Sequence, residues 1–264
     1  MPEPRSPLWR IVLPLALVGA LLLGWELLVR VQQIPHYILP APSLVISTLI
    51  ERWDSLAPSL WFTLRLTLLA LAAAVIGGVL LAMAFAFSRW VELALFPVAV
   101  VLQVTPLIAI APLILIYVDN TTAALLLCAW IVAFFPVLAN TVTGLRSADA
   151  NLRDLFTLYR ATRWQRLRWL LAPSALPYFL SGLKIAGGLS LIGAVVAEFT
   201  AGTAGRETGL ASRILEASFR TEIPLMFAAL LLVSLLGVAI FVAFSALSRW
   251  AIGHWHESER AGQP

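Results

Sequence analysis

The sequence predicts an all-α, polytopic membrane protein with about six transmembrane helices and a pair of short cytoplasmic helices. Of the 264 residues, 61% are hydrophobic and only 12% are charged, whereas a soluble domain is about 45–50% apolar and about 25% charged. Several apolar segments also reach the length of about 20 residues with which a helix crosses a bilayer. We therefore expect the lipid bilayer to be the main solvent of this chain.

Six apolar segments are the predicted spans, and we expect residues 1–264 to form a single membrane domain around them. They cover about residues 11–29, 62–87, 93–117, 121–140, 176–200 and 223–248. The first follows Arg5 and Arg10, as the core of a secretory signal would. It lacks a small-x-small cleavage pattern, however, so we interpret it as a retained span.

Prolines modify this plan in two places. Between the first two spans, Pro42 and Pro58 bracket a helix predicted from Ser43 to about Leu56, whose apolar residues recur at the spacing typical of a helix lying in the membrane interface. The third span contains three prolines and the polar Gln103. It is either a kinked or broken helix beside a translocation pathway or a kinked helix that serves packing.

The arginines are unequally shared between the two sides of the predicted bundle. With the N-terminus inside, eleven lie on the inner side, namely Arg5, Arg10, Arg89, Arg146, Arg153, Arg160, Arg163, Arg166, Arg168, Arg249 and Arg260. Five lie on the outer side, namely Arg30, Arg52, Arg206, Arg213 and Arg220. Because cytoplasmic loops carry the excess of positive charge, both termini are predicted to be cytoplasmic.

Several chemistries lack the residues they need. The single cysteine, Cys128, can form no intrachain disulfide, and His254 with His256 cannot close a metal coordination shell. No phosphate-binding Gly-x-x-x-x-Gly-Lys-Ser/Thr motif occurs, so any ATP must be bound by another polypeptide. The basic stretch is short and lies between spans, which argues against a nucleic-acid partner. We expect no catalytic residue, metal or cofactor on this chain.

The segment 141–175 between the fourth and fifth spans is predicted to form the two cytoplasmic helices. Asn151 can cap the first, and Thr162 with Gln165 forms a capping box at the start of the second, which Pro173 is expected to end. Both helices are amphipathic and basic. They either lie on anionic lipid or form a docking surface for a soluble protein.

This segment resembles the cytoplasmic loop of ABC importer permeases. The family pattern is Glu-Ala-Ala, three residues, Gly, nine residues, Ile-x-Leu-Pro, and Asp154, Arg160, Leu170 and Pro173 stand at its acidic, glycine, isoleucine and proline positions. Leu-Pro-Ala-Pro-Ser at 39–43 resembles the branch that imports sulfonates, taurine and nitrate. So do Ser88-Arg89-Trp90, Ala197-Glu198 and other matches in the same order over residues 35–250.

The resemblance implies a permease subunit of the bacterial inner membrane that pairs, usually as a homodimer, to form a pathway. Two soluble ATPase subunits would dock on the loop, and an extracytoplasmic binding protein would deliver the solute. The residues implied in coupling are Asp154, Tyr159, Arg160, Thr162, Arg163, Trp164 and Pro173. Because arginine favours helix where the family has glycine, we expect the Thr162 cap to make the bend between the helices, with Arg160 reaching an acidic group of the ATPase.

The solute is expected to be sulfonate-, taurine- or nitrate-like, with a pyrimidine- or riboflavin-like solute as the alternative. Two other classes of function are weighed against import driven by ATP. A membrane enzyme acting on lipid would need convergent acids, bases or metal ligands, which are scattered here, and a secondary transporter would usually show internal repeats, which are absent from this sequence.

A few residues inside the spans are candidates for the pathway or its gate: Gln103, Gly187, Gly188 and Glu198. A charged side chain in the membrane needs a partner or an interface, so Glu198 either lines the pathway and outer gate or makes a structural hydrogen bond. The glycines of the fifth span form a small-residue face that permits close helix packing and can also border the pathway.

Overall fold

The computed structural model describes residues 9–202 and 208–252, and within these ranges it is helical without a strand. The elements are α1 (Trp9–Val31), α2 (Pro42–Glu51), α3 (Trp53–Phe87), α4 (Arg89–Val104), α5 (Leu107–Tyr117), α6 (Thr121–Arg146), α7 (Ala150–Leu158), α8 (Arg163–Arg166), a π-helical turn (Leu167–Leu171), α9 (Ala172–Ala201), α10 (Leu210–Phe219) and α11 (Ile223–Ile252). The predicted all-α fold is confirmed. The predictions that concern Arg5, Arg206, Arg260, His254 and His256 lie outside the described residues.

The centre of the bundle is the packing of α6 against α9, and α3 contacts both of these helices. Val137 and Leu138 on α6 are fully buried in the largest apolar cluster, together with Ala74 and Ala82 of α3 and Ala186 of α9. Small residues let these helices approach closely. Close approach matters inside lipid, because helices there associate through van der Waals packing and not through the hydrophobic effect.

The contacts show that α3 and α6 run in the same direction. Phe62 in the first third of α3 belongs to the same buried cluster as Leu125 near the start of α6, and Gly78 further along α3 lies against Val137 of α6. The chain must therefore return across the bundle between them, and α4 and α5 are the only helices available in that stretch. They form one broken span, bent by 102°.

The break follows from the local sequence. Thr105 is extended (φ −69°, ψ 123°) and precedes Pro106, and a residue before proline avoids the helical region because of a clash with the proline ring. The third span is thus broken at Thr105 and Pro106, and its two interpretations, a place beside a pathway or a role in packing, stay predictions. With this pair counted as one span, the described residues contain six candidate spans, as predicted.

The predicted interface helix is shorter than expected. It ends at Glu51, and Trp53 to Leu56 belong instead to α3, which continues through Pro58. Pro58 lies within the second turn of α3, so it leaves only the Asp54 carbonyl without its helical donor. The proline was expected to stop a helix, and near a helix start it does not.

The prediction that Pro173 ends the second loop helix is wrong. Residues Arg163–Ala201 form one continuous helix of 39 residues, in which a π-helical turn directly precedes Ala172 and Pro173. There the Ala172 N–H donates to the Leu167 carbonyl, five residues back. This wider turn makes room for the proline ring, which a regular α-helix would not accommodate without a kink. The second loop helix and the fifth span are therefore one continuous helix, which we call the rod.

Candidate functional site

The first loop helix, α7, begins one turn from the end of α6. Its cap is Asp149 and not the predicted Asn151: the Asp149 carboxylate accepts hydrogen bonds from the N–H groups of Asn151 (2.7 Å) and Leu152 (3.2 Å). Asp149 is the residue with extended backbone before the helix (ψ 137°), whereas Asn151 is already helical and cannot cap it.

The turn between α7 and α8 is built on Arg160 itself. This residue has φ +50°, the left-handed conformation that glycine adopts most easily. The Arg160 N–H donates to the Thr157 carbonyl (3.0 Å), and the Ala161 N–H donates to the Phe156 carbonyl (2.9 Å). This pair of bonds is a Schellman motif. The expectation that the Thr162 cap alone makes the bend is corrected accordingly.

The capping box at the start of α8 is confirmed. The Thr162 hydroxyl accepts from the Gln165 N–H (3.2 Å), and the Gln165 side chain accepts from the Thr162 N–H (2.8 Å). The left-handed Arg160 and this box together define a tight turn with hydrogen bonds on both sides. We call residues 156–165 the elbow.

The elbow presents large side chains at its surface. Tyr159 is 80% exposed and Trp164 is 61% exposed, and Asp154 on α7 is exposed as well. Arg163 instead turns toward the bundle, where its guanidinium donates to the carbonyl of Phe87 at the end of α3 (3.2 Å). Of the predicted coupling residues, Tyr159 and Trp164 thus form an outward aromatic surface, whereas Arg163 fastens the elbow to α3.

Replacing Arg160 with glycine should stabilise the chain. A left-handed residue with a Cβ costs about 1–2 kcal/mol, and glycine removes most of that cost. We expect the free energy of unfolding of R160G, measured by denaturation of the purified chain in detergent, to rise by about 1 kcal/mol. The matched control is A161G next to it, where φ is not positive; it should be neutral or destabilising. Equal effects of both variants would contradict the assignment.

Glu198 lies near the far end of the Arg163–Ala201 rod and is 1% exposed. Its carboxylate accepts from the Thr63 hydroxyl of α3 (2.8 Å) and from the Ala211 N–H (2.9 Å), and the Leu210 N–H donates to the Thr63 hydroxyl (2.9 Å). These N–H groups are the first two of α10. Glu198 and Thr63 therefore cap a helix whose own N-cap residue, Gly209, has no side chain.

Gly209 is required by this arrangement. A Cβ at that position would lie 2.2 Å from the Glu198 carboxylate. A similar arrangement holds α2, because Glu26 accepts from the N–H (3.0 Å) and the hydroxyl (2.7 Å) of Ser43. At the end of the bundle opposite the elbow, two span glutamates thus each fasten the start of a short helix.

The remaining pathway candidates are spread over different surfaces. Gly187 faces α11, where an added Cβ would lie 3.0 Å from Phe244, and Gly188 has nothing within 4 Å of such a Cβ. Gln103 is exposed in the last turn of α4, two residues before the break. The structure does not bring these three together with Glu198, and their role in a pathway stays a prediction.

Sequence reasoning missed the partners that complete these sites. Thr63 was not singled out, and Gly209 was noted only among the matches to the family pattern and not as the N-cap of α10. Gly144 of α6 and Gly182 of α9 also escaped notice. An added Cβ at Gly144 would lie 2.7 Å from the Ala175 Cα, and one at Gly182 would lie 2.9 Å from the Pro136 carbonyl oxygen.

Comparison with solved structures supports the fold. The chain superposes on a crystal structure of an amino acid ABC transporter with histidines at a TM-score of 0.55 and 19% sequence identity, over 79% of this chain and 92% of that one. At this identity the likeness concerns the fold alone.

Sequence relatives cover most of the chain. A probable ABC transporter permease protein of Haemophilus influenzae is 33% identical over 89% of this chain and 94% of its own length. The riboflavin transport system permease protein RibX of Chloroflexus aurantiacus is 34% identical over 93% and 90%. The taurine transport system permease protein TauC of Escherichia coli is 30% identical over 76% of both chains.

The family model for the binding-protein-dependent transport system inner membrane component matches residues 74–253, from the middle of α3 past the end of α11. The matched range includes the elbow, the broken span and Glu198. Together with the relatives, it confirms the resemblance to ABC importer permeases that the loop and the Leu-Pro-Ala-Pro-Ser segment indicated. The chain belongs to the family of inner-membrane permease components of binding-protein-dependent ABC importers.

Proposed function

We propose that the elbow is the site at which separate soluble ATPase subunits dock, and that this permease works as a pair, with both termini and the elbow in the cytoplasm. A binding protein outside the cell delivers the solute to the opposite end. The chain itself performs no covalent chemistry, and ATP acts through the ATPase partner. Residues 1–264 serve as one membrane domain in this assembly.

The observation that carries this proposal is the exposed aromatic surface of the elbow on a rigid support. Leu158 and Tyr159 are each 80% exposed, and Trp164 is 61% exposed. Aromatic side chains that project from a rigid backbone are the typical anchors of protein interfaces. The elbow is followed without interruption by the helix that reaches Glu198, at 1.5 Å per residue about 50 Å away. A displacement at the elbow therefore moves one end of that rod.

The opposite end of the rod suggests what such a displacement does. Glu198 is bonded to Thr63 of α3 and to the start of α10, so an axial or tilting motion of α9 changes the position of α10 relative to α3. We propose that this is how the outer gate opens, with the glutamate acting as a connector between helices. Gln103, beside the break in α4, and Gly187 and Gly188 are then pathway-lining candidates.

For the solute, we propose a small organic molecule. The riboflavin permease shares higher identity over more of this chain than the taurine permease does, which favours the riboflavin- or pyrimidine-like alternative over the sulfonate, taurine or nitrate class. Thermal-shift titration of the cognate binding protein with riboflavin, a pyrimidine, taurine and nitrate separates these classes. Stabilisation by taurine or nitrate alone would reverse the preference.

The docking proposal is tested with Y159A and W164A. Loss of an exposed anchor side chain should reduce co-purification of the cognate ATPase subunit and ATP-dependent uptake by at least tenfold, while insertion into the membrane stays normal. The matched control is W90A: Trp90 is 82% exposed near the same end of the bundle but outside the elbow. W90A should retain both co-purification of the ATPase subunit and ATP-dependent uptake.

The competing interpretation, that the elbow lies on anionic lipid, makes a different prediction. A version of residues 151–171 scrambled at constant charge would then keep the ATPase bound and the uptake intact. Full retention of both in the scrambled loop, or equal losses in W164A and W90A, would rule out the docking proposal.

A further inference from the structure

A hollow of about 530 Å³ opens at the elbow end of the bundle, between α3, α4, α6 and the start of the α8–α9 rod. Five arginines line it: Arg89, Arg146, Arg153, Arg163 and Arg166. Among the described residues that line it, Glu92 supplies the one carboxylate. The hollow thus carries a formal excess of four positive charges.

The hydrogen bonds of the lining residues do not remove this excess. Glu92 pairs with Arg89 (3.0 Å) and with Arg146. Arg153 donates to the carbonyl of Arg146, and Arg163 donates to that of Phe87. Carbonyl oxygens are neutral acceptors, so they orient these guanidinium groups without compensating their charge.

Arg166 adds a second and independent sign that a ligand is needed. Its Nε is buried, and no acceptor for it occurs among the described residues. A buried donor without an acceptor costs about 1–3 kcal/mol, more when the group is charged. An anion in the hollow would accept this hydrogen bond and compensate the charge excess at once.

A second hollow, of about 510 Å³, lies beside the first and is almost wholly apolar. Leu145 and Leu167 line both. The apolar hollow extends along α3 to Ile76 and along α9 to Leu176, positions ten or eleven residues from Phe87 and Arg166. At 1.5 Å per residue it runs about 15 Å along the helices, away from the arginines.

We propose that the two hollows bind one anionic phospholipid, with its phosphate on Arg153, Arg163 and Arg166 and an acyl chain in the apolar hollow. Guanidinium groups match a phosphate through paired, charge-assisted hydrogen bonds. Phosphate from a soluble source would share that chemistry but would leave the apolar hollow unused. Basic pockets between spans near the predicted cytoplasmic surface suit an anionic headgroup.

The test is lipid retention by the full-length chain. The purified protein is exchanged into micelles doped with dioleoylphosphatidylglycerol or with dioleoylphosphatidylcholine, and the bound lipid is counted by native mass spectrometry. Wild type should retain one phosphatidylglycerol and at least fivefold less phosphatidylcholine. R166Q and R153Q should each lower phosphatidylglycerol retention at least fivefold; Arg153 is exposed on α7, so R153Q is expected to fold normally.

The matched control is R168Q, which removes the same charge from the same rod. Arg168 is exposed and lies 5.2 Å over the Trp169 ring, outside the hollow, so its variant should retain lipid within twofold of wild type. Equal losses in R168Q and R166Q would reduce the effect to surface charge and overturn the proposal. So would equal retention of the two lipids by wild type.

Two further outcomes identify other occupants. If glycerol 1-phosphate displaces phosphatidylglycerol at equal concentration, the hollow is a site for soluble phosphate and the lipid assignment fails. If R166Q keeps its lipid but loses the ATPase subunit, the arginines serve an acidic segment of that partner, and the lipid assignment fails as well.

Discussion

Substituting Glu198 with alanine should destabilise the chain by about 3 kcal/mol. The carboxylate is 1% exposed and receives hydrogen bonds from the Thr63 hydroxyl and the Ala211 N–H. Truncation leaves both donors without an acceptor in a buried site, and each such group costs about 1–3 kcal/mol. It also removes a negative charge from the N-terminus of α10, where the helix dipole favours one.

The measurement is the free energy of unfolding in detergent, followed by the fluorescence of the ten tryptophans. E198Q should lose about half as much, because its amide oxygen still accepts one hydrogen bond while its NH₂ group faces another donor. The matched control is E216A on α10 itself. Glu216 is about one-quarter exposed and pairs with Arg213 and Arg220, and pairs of this kind contribute about 0–1 kcal/mol. A loss in E216A as large as in E198A would contradict the capping role.

The E198Q variant also distinguishes a structural role of Glu198 from a role in gating. If Glu198 only holds the fold, E198Q should lose uptake in proportion to its loss of folded protein. If it connects α9 to α10 during transport, as we propose, E198Q that is folded and bound to the ATPase should hydrolyse ATP with reduced uptake per ATP.

The spans were predictable because lipid imposes two simple requirements on them. Every backbone group must be bonded within a helix and every outward side chain must be apolar, so hydropathy alone locates these segments. The Thr162–Gln165 capping box was predictable for a similar reason, since both partners lie within three residues of each other. Features of this kind depend on the local sequence only.

Other features depend on distant partners. Pro173 has the sequence context of a helix end, yet the π-helical turn before it allows the rod to continue, held by packing of Leu167 and Leu170 in the core. Arg160 has the propensity of a helix residue, yet the Schellman bonds hold it in a left-handed conformation. The family pattern, which has glycine there, pointed to this conformation more directly than the propensity of arginine did.

The limit of prediction from sequence is clearest at the glycines, because identical residues on two packed helices have unequal roles. The fifth-span glycines were expected to form one packing face, yet they face different surroundings. Gly187 faces α11, and a Cβ added at Gly193 would lie 2.9 Å from the Ala129 Cα of α6. Gly188 faces open space. Only the orientation of α9 about its own axis, as seen in the structure, shows which neighbour each glycine faces. Among the glycines of the α6–α9 contact, Gly144 gives the shortest distance from an added Cβ to a backbone atom, and it stands in a segment that was expected to be loop.

A pair of alanine substitutions should reveal this difference. At Gly144 the new Cβ would lie 2.7 Å from the Ala175 Cα and 2.9 Å from the Ala175 carbonyl oxygen. These are backbone atoms of α9, so no side chain can rotate away, and the two helices must separate. Overpacking of this kind costs about 1–3 kcal/mol. G144A should therefore unfold more readily and weaken the joint between the elbow end of α6 and the rod.

G188A is the matched control, because it adds the same methyl group to a helix glycine that has nothing within 4 Å of the new Cβ. Alanine favours helix over glycine by about 1 kcal/mol, so G188A should be neutral or stabilising in the same denaturation measurement. The two changes in the free energy of unfolding are expected to have opposite signs because Gly144 lies in the α6–α9 contact, whereas Gly188 lies outside it. If G188A instead lost uptake while remaining as stable as wild type, its open surface would be one that closes during transport, as expected of a residue that lines the pathway. If G144A proved as stable as G188A, α6 and α9 would not approach each other as closely as the structure has them, and the rigid connection from the elbow to the bundle would have to be abandoned.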